Sequence, residues 1–336
     1  MNGRIHQNKS GSGPCLLGAA PTYVGLSSPY FFSLCLTSAN PPFGIPWKRE
    51  EKEVTAEFKK GTAGRFAPGL PAKGDGQLLF MLNGLAKLKD DGQMAIIQNG
   101  SSLFNGDAGS GPSEIRRYLI ENDWLDAIVQ LPNNAFYNTS IATYIWIVMK
   151  NKPVTHQGKV QLIDASACCS SRRKNIGSKN VDITKACRDL IIKAYGAYVD
   201  ETYNDVDEND NAIIVKSKVM DAIDLGYNKI VVETPQLDED GNIVMKKKKP
   251  VADKSKRDTE NVPLAEDIDV YFEREVIPYN SQAWIDKAKT KVGYEIPFTR
   301  TFYEYQQVEP SDVIATRIEH YEKSLMAKLH DLFGGE

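Results

Sequence analysis

Histidine and cysteine are scarce in this 336-residue chain. Four histidines (His6, His156, His320, His330) stand far apart, and five cysteines include the adjacent pair Cys168-Cys169 but no Cys-x-x-Cys. That spacing excludes a zinc site and a disulfide framework, so no metal ligand set is expected. A reduced, cytoplasmic compartment follows as the simplest expectation. Long apolar runs are missing as well: none reaches the ~18 residues of a membrane span. The apolar patch Cys15–Ala20 follows Arg4 and Lys9, but Pro14 and Pro21 bracket it and it is too short for a signal core. An excess of positive charge is also lacking, with 41 Lys and Arg against 44 Asp and Glu and a net charge of −3. Bulk charge therefore argues against tight, non-specific binding of nucleic acid, while local basic patches stay open.

What is present is ordinary globular usage, 41% hydrophobic and 25% charged. Such a length suggests about two domains. Met1–Ala39 contains no Asp or Glu, and the first acid is Glu50. Residues 1–30 are accordingly expected to be a disordered leader, foreign to the domain after it. From Phe31 onward strand and helix patterns alternate. Phe31–Thr37 is an apolar strand, and Gln77–Lys89 a helix behind an Asp75 cap, stopped at Gly92. Met94–Gln98, Leu125–Leu131, Ala142–Met149 and Lys159–Asp164 are strands, with a helix at Ser113–Asn122. The rhythm predicts an α/β sheet with helices on its faces over 31–170, its last strands close enough to pair antiparallel.

Residues 171–336 change character. Asp200–Asn211 is acidic and turn-like, and is expected to be a linker. Asn228–Glu233 and Asn242–Lys248 suggest a hairpin around Asp238–Gly241. The run Lys246–Lys249 offers phosphate contacts or, with acids nearby, a solvated hairpin. Ser311–Leu332 carries Ile314, Ile318, Tyr321, Leu325, Leu329 and Leu332 as one apolar stripe, suited to a partner or to its own domain.

The sharpest chemical signal is Asn40-Pro41-Pro42-Phe43, directly after the first strand. An exocyclic aromatic amine is a poor nucleophile because its lone pair is delocalised into the ring. An Asn side-chain oxygen and a neighbouring carbonyl that accept both N–H bonds free that lone pair. Pro41 and Pro42 stiffen the loop and leave carbonyls outside any ladder. Phe43 supplies a face on which a flipped base can stack. The end of a strand is where open α/β sheets bind ligands.

This motif resembles the signature of amino-directed methyltransferases that use S-adenosylmethionine. Asn40–Lys150 is similar to the catalytic half of the modification (M) subunit of type I restriction-modification systems. The resemblance runs through Gly92–Phe104, Glu114-Ile115-Arg116, Leu131-Pro132 to Phe136-Tyr137 and Ile141, and Ile145-Trp146-Ile147 with Lys150. It extends to Tyr271–Val276 and Gly293–Arg300. It implies a Rossmann-like methyltransferase sheet, here partial, followed by a mostly helical C-terminal region. It also implies methyl transfer from S-adenosylmethionine to the amino group of adenine in double-stranded DNA. Asn40, Pro41 and Phe43 would hold and stack the adenine, and Phe136 would line the flipped-base pocket or simply pack. Asn99 and Ser101 would touch substrate or close a turn. The C-terminal helix would meet a specificity subunit, with a restriction subunit in the full complex.

One element of that pattern is not found. The only candidates for a Gly-rich cofactor loop are Gly11, Gly13 and Gly18, and Gly11 lies only 29 residues before Asn40. Three strand–helix crossovers need roughly 45 residues or more. The chain is therefore expected to be an N-terminally truncated methyltransferase, with cofactor-binding residues unassigned. Two alternatives stand beside it: a catalytically dead remnant that only docks the specificity subunit, and an amino methyltransferase acting on cytosine or on a protein or RNA amide.

Overall fold

A computed structural model describes residues 34–247, 249–305 and 309–333. The expected leader and Gly11, Gly13 and Gly18 lie outside the described residues. In chain order the elements begin with β1 (Leu34–Ala39), α1 (Glu51–Phe58), α2 (Gln77–Lys87), β2 (Leu88–Asn99), α3 (Ser101–Phe104) and α4 (Gly111–Glu121). Then come β3 (Leu125–Leu131), β4 (Thr143–Met149), β5 (Lys159–Asp164), β6 (Ser170–Ile176), β7 (Lys179–Asp182) and α5 (Lys185–Ala197). β8 (Glu201–Val206), β9 (Ala212–Asp221), β10 (Gly226–Glu233), β11 (Met245–Lys246), β12 (Lys249–Pro250) and β13 (Asp258–Pro263) follow. The chain ends with α6 (Ile268–Glu275), β14 (Trp284–Ile285), β15 (Lys291–Tyr294), α7 (Phe298–Thr301) and α8 (Ser311–Phe333).

The main sheet has seven strands in the order β1-β2-β4-β3-β5-β9-β8. β1 runs parallel to β2, and β4 is antiparallel to both β2 and β3. Consequently β1, β2 and β3 all end on one edge. β5 is parallel to β3 and ends there too, at Asp164. The sequence explains the middle of this sheet: β3 (LDAIVQL) and β4 (TYIWIVM) are nearly unbroken apolar runs, as strands covered on both faces require. Ile128, Trp146, Val148 and Leu162 have no solvent-accessible surface.

Several expectations need correction. The helix Gln77–Lys89 ends at Lys87, because Lys89, Asp90 and Asp91 are all exposed and offer no helix face to the core. Lys150 holds the extended backbone instead, donating from Nζ to the Leu88 carbonyl (2.7 Å) and from its N–H to the Gly92 carbonyl (3.3 Å). β5 does not pair with β4, whose two edges are already taken by β2 and β3, and lies beside β3 instead. Asp200–Asn211 is not a linker. It contains β8, which pairs with β9 and buries Tyr203, while the Asp207 carboxylate accepts the Asn209 and Asn211 backbone N–H groups at the turn. Its acids sit on the exposed face and at the turn, so they do not prevent strand formation. The main sheet thus continues across residue 170. β10 does not pair with 242–248 but with β13, β14 and β15. The turn at Asp238–Gly241 does form, closed by the Gly241 N–H on the Asp238 carbonyl (3.1 Å).

Two further cores flank the sheet. α5, capped by Thr184, covers Ile163, Tyr203, Ile213 and Val215 with Leu190 and Ala194. α6, whose first N–H groups are received by Asp267, covers Ile230, Val232 and Val262 with Phe272. The chain up to Ile296 is one compact unit, and 297–336 form a second. In the second, α8 is a single helix of 23 residues with its apolar stripe exposed: Ile318, Tyr321, Leu325 and Leu329 all face solvent. No helix among the described residues is long and apolar enough to cross a membrane.

Candidate active site

β1 delivers the motif to the carboxyl edge. Asn40 follows Ala39 and is exposed, Pro41 is buried, Pro42 is exposed and Phe43 is half-buried. This alternation suits the chemistry: the buried proline anchors the loop while the Asn amide remains free to meet a ligand. The chain then turns through Gly44 (φ +62°), a left-handed conformation that favours glycine.

A second loop holds the first in place. The Trp47 indole N–H donates to the Ala72 carbonyl (3.0 Å), its backbone N–H to the Lys73 carbonyl (3.1 Å), and the Gly76 N–H to the Ile45 carbonyl (3.1 Å). Gly76 is the cap residue of α2, so the motif loop is fastened to a helix terminus. Arg65 braces the same region, gripping Glu57 with two 2.6 Å bonds and Asn83 with one of 2.7 Å. The Arg65 guanidinium holds the Glu57 carboxyl below the ordinary glutamate value. Beneath Pro42 lies a cavity of about 170 Å³, lined by Trp47, Val54, Phe66 and Leu79 among others.

At the end of β2 the polar residues tie to one another. Gln77 Nε2 lies 2.7 Å from Asp75 Oδ2, from Asn99 Oδ1 and from Ser101 Oγ. The Asn99 backbone N–H donates to Gln77 Oε1 (3.0 Å), and Asn99 Oδ1 also accepts the Ser101 N–H (3.0 Å). Asn99 and Ser101 thus close the turn into α3, and Asp75, expected as the cap of α2, lies one residue before its cap Gly76 and accepts the Gln77 N–H (3.2 Å).

Phe136 lies in the connection between β3 and β4 on this same edge, half-buried and bridged to Thr139. Three strand spacings, roughly 14 Å, separate β1 from β3. Topology therefore brings Asn40, Pro41, Pro42, Phe43, Asn99 and Phe136 to one edge, although 96 residues separate the first from the last. Sequence reasoning missed the hairpin β6–β7, which springs from this edge after β5. Its signal was present in Arg172-Arg173-Lys174, a basic run in a chain of net negative charge. The vicinal cysteines lie beside it, and burial pushes the Cys168 thiol up, so it stays protonated and inert. No cluster of possible metal ligands occurs among the described residues.

Comparison with known proteins places the chain in a family. Residues 34–232 match the family model described as N-6 DNA Methylase. The type I restriction enzyme MpnII methylase subunit of Mycoplasma pneumoniae is 31% identical over 169 residues, 49% of this chain and 29% of its own length. The MjaIX methylase subunit of Methanocaldococcus jannaschii is 30% identical over 141 residues, 41% of this chain and 24% of its own. The chain thus spans 29% and 24% of the length of these relatives. Among solved structures, the type I restriction-modification methyltransferase subunit from Streptococcus thermophilus is 25% identical, with a TM-score of 0.47 over 61% of this chain and 38% of that one.

Proposed function

The chain belongs to the N-6 DNA methylase family, in the class of type I modification subunits, and from that premise we propose that it methylates the exocyclic amino group of adenine in double-stranded DNA. The observation that carries this reading is Asn40, exposed at the end of β1 on a loop stiffened by Pro41 and Pro42. Its side-chain oxygen and the Pro41 carbonyl accept the two N–H bonds of the adenine amine, so the nitrogen lone pair leaves conjugation and points at the incoming methyl group. Phe43 stacks on the extruded base, and Phe136 approaches from the β3–β4 connection. Asn99 acts at this edge by holding the β2 turn, through which it reaches the substrate side.

The methyl donor implied by this reading is S-adenosylmethionine. The residues ahead of β1, Gly11, Gly13 and Gly18 among them, lie outside the described residues. The residue roles above are therefore confined to the acceptor.

Two partners belong to the same reading. α8 docks a specificity subunit through its exposed stripe, and a restriction subunit completes the complex. The exposure of that stripe also favours a second reading, in which the chain only docks. Transfer of tritiated methyl groups to duplex DNA, measured with the specificity subunit present, separates them. Methylation reads out as N6-methyladenine after nuclease digestion and falls by about 10²–10³-fold in Asn40→Ala. Label in cytosine, or no label despite intact docking, would overturn the proposal.

A further inference from the structure

We propose that the β6–β7 hairpin grips the phosphate backbone of duplex DNA beside the target base, an inference that rests on the adenine reading above. Position is the first argument. The chain leaves the carboxyl end of β5 at Asp164 and enters the hairpin at Ser170. Backbone bonds then fasten the hairpin to the loop that holds Phe136: Ser178 N–H to the Tyr137 carbonyl (2.9 Å) and Asn180 N–H to the Asn134 carbonyl (3.2 Å). Gly177 makes the approach possible. It has φ +58°, and a Cβ there would lie 2.5 Å from the Tyr137 carbonyl oxygen. The Lys179 ammonium sits 5.7 Å from the Tyr137 ring centre. A rigid strap thus joins the hairpin to the base-pocket loop.

Charge is the second argument. Ser170–Asp182 holds four basic residues, Arg172, Arg173, Lys174 and Lys179, against one acid, Asp182. Arg172 (2.6 Å) and Lys179 (3.0 Å) both pair with Asp182 and stiffen the hairpin. Arg173 and Lys174 are exposed, and neither side chain has a partner among the described residues. Backbone geometry adds a third. Ser171 pairs with Val181 but Ile176 with Lys179, so five steps along β6 answer two along β7. The surplus residues bulge out of the ladder and carry Arg173 and Lys174 with them. Cations raised on a braced bulge suit phosphate contacts, which set the register of a duplex without reading its sequence. In a chain of net charge −3, such a local concentration of cations stands out as a place for an anionic backbone.

The test is binding of a fluorescein-labelled duplex with a mismatched adenine at its centre, followed by anisotropy across a salt series. Losing two phosphate contacts in the Arg173→Gln/Lys174→Gln variant lowers the slope of log K against log salt by about 1.8. Its disadvantage at about 50 mM salt therefore shrinks about tenfold by 200 mM. Lys246→Gln/Lys249→Gln, which removes two exposed lysines from the separate β11–β12 ribbon, leaves the slope unchanged. Thermal melts identical to the unaltered chain confirm that both variants fold, since all four side chains face solvent. An unchanged slope in the hairpin variant overturns the proposal, and so does a failure of the unaltered chain to bind the duplex. The methyl-transfer assay separates the two ideas. A reduced slope without N6-methyladenine upholds the hairpin and sinks the adenine reading; N6-methyladenine with an unchanged slope does the reverse.

Discussion

Arg116 shows how one side chain ties the site to the rest of its unit. It is buried on α4, and donates to the carbonyls of Tyr294 (2.6 Å), Ser102 (3.1 Å) and Asn105 (3.0 Å). Burial pulls its pKa down to about 10, so it remains a cation at neutral pH. Ser102 lies in α3 and Asn105 directly after it, and Tyr294 ends β15, far along the chain. Replacing the guanidinium with an apolar chain of similar reach leaves three carbonyls without it, those of Tyr294 and Ser102 buried. Arg116→Met is expected to lower unfolding free energy by about 3–5 kcal/mol, read from urea titrations. A loss below about 1 kcal/mol would mean that these carbonyls find other donors. In the sequence Arg116 is an ordinary basic residue of an amphipathic helix, and nothing local marks it as buried.

The elements show where pattern suffices and where it does not. β3 and β5 occupy the residues their apolar runs predict, because a continuous buried strand leaves few alternatives. Strand partners are another matter. β10 chooses β13 and β15 over the nearer 242–248 segment, a choice made by packing under α6 rather than by proximity in the chain. α8 carries the prediction that belongs to this scale. Its 23 residues form a helix of about 35 Å, and a helix with a solvent-facing apolar stripe draws its stability from whatever covers it. Leu325→Asp with Leu329→Asp should abolish co-purification with a specificity subunit while leaving the circular dichroism of the chain nearly unchanged. Undiminished co-purification would place the docking surface elsewhere.

At the scale of the whole molecule, the response to acid follows from how its carboxylates are held. Hydrogen bonds from basic side chains lower the pKa of Glu57 (Arg65), Asp107 (Lys229), Asp182 (Arg172) and Glu233 (Arg257, then Lys289). Each is depressed in the folded state, so below its ordinary value near 4 the unfolded chain binds more protons than the folded one. The stability these groups contribute is full above about pH 5 and is lost as pH falls through the lowered values. Guanidinium midpoints should hold steady from pH 7 to about 5, then drop towards pH 3. Glu57→Gln should flatten part of that drop. A midpoint independent of pH over this range would show that the pairs are not formed in solution.

The motif Asn40 to Phe43, its place at a strand end and the family it signals are all local properties, determined by side-chain chemistry over four residues and an apolar run before them. For that reason they were legible in the sequence by itself. Which residues share the edge with Asn40 was decided only by the tertiary structure. β4 slots between β2 and β3, and that insertion sets Phe136 three strands from Asn40 and aims the loop after β5 the same way. Strand order depends on contacts between segments far apart in the chain, which no local pattern encodes. The basic bulge on β6 belongs to the same class. In the sequence Arg172-Arg173-Lys174 is a basic run with no place in the fold; the backbone bonds to Asn134 and Tyr137 give the hairpin one, beside the loop that holds Phe136.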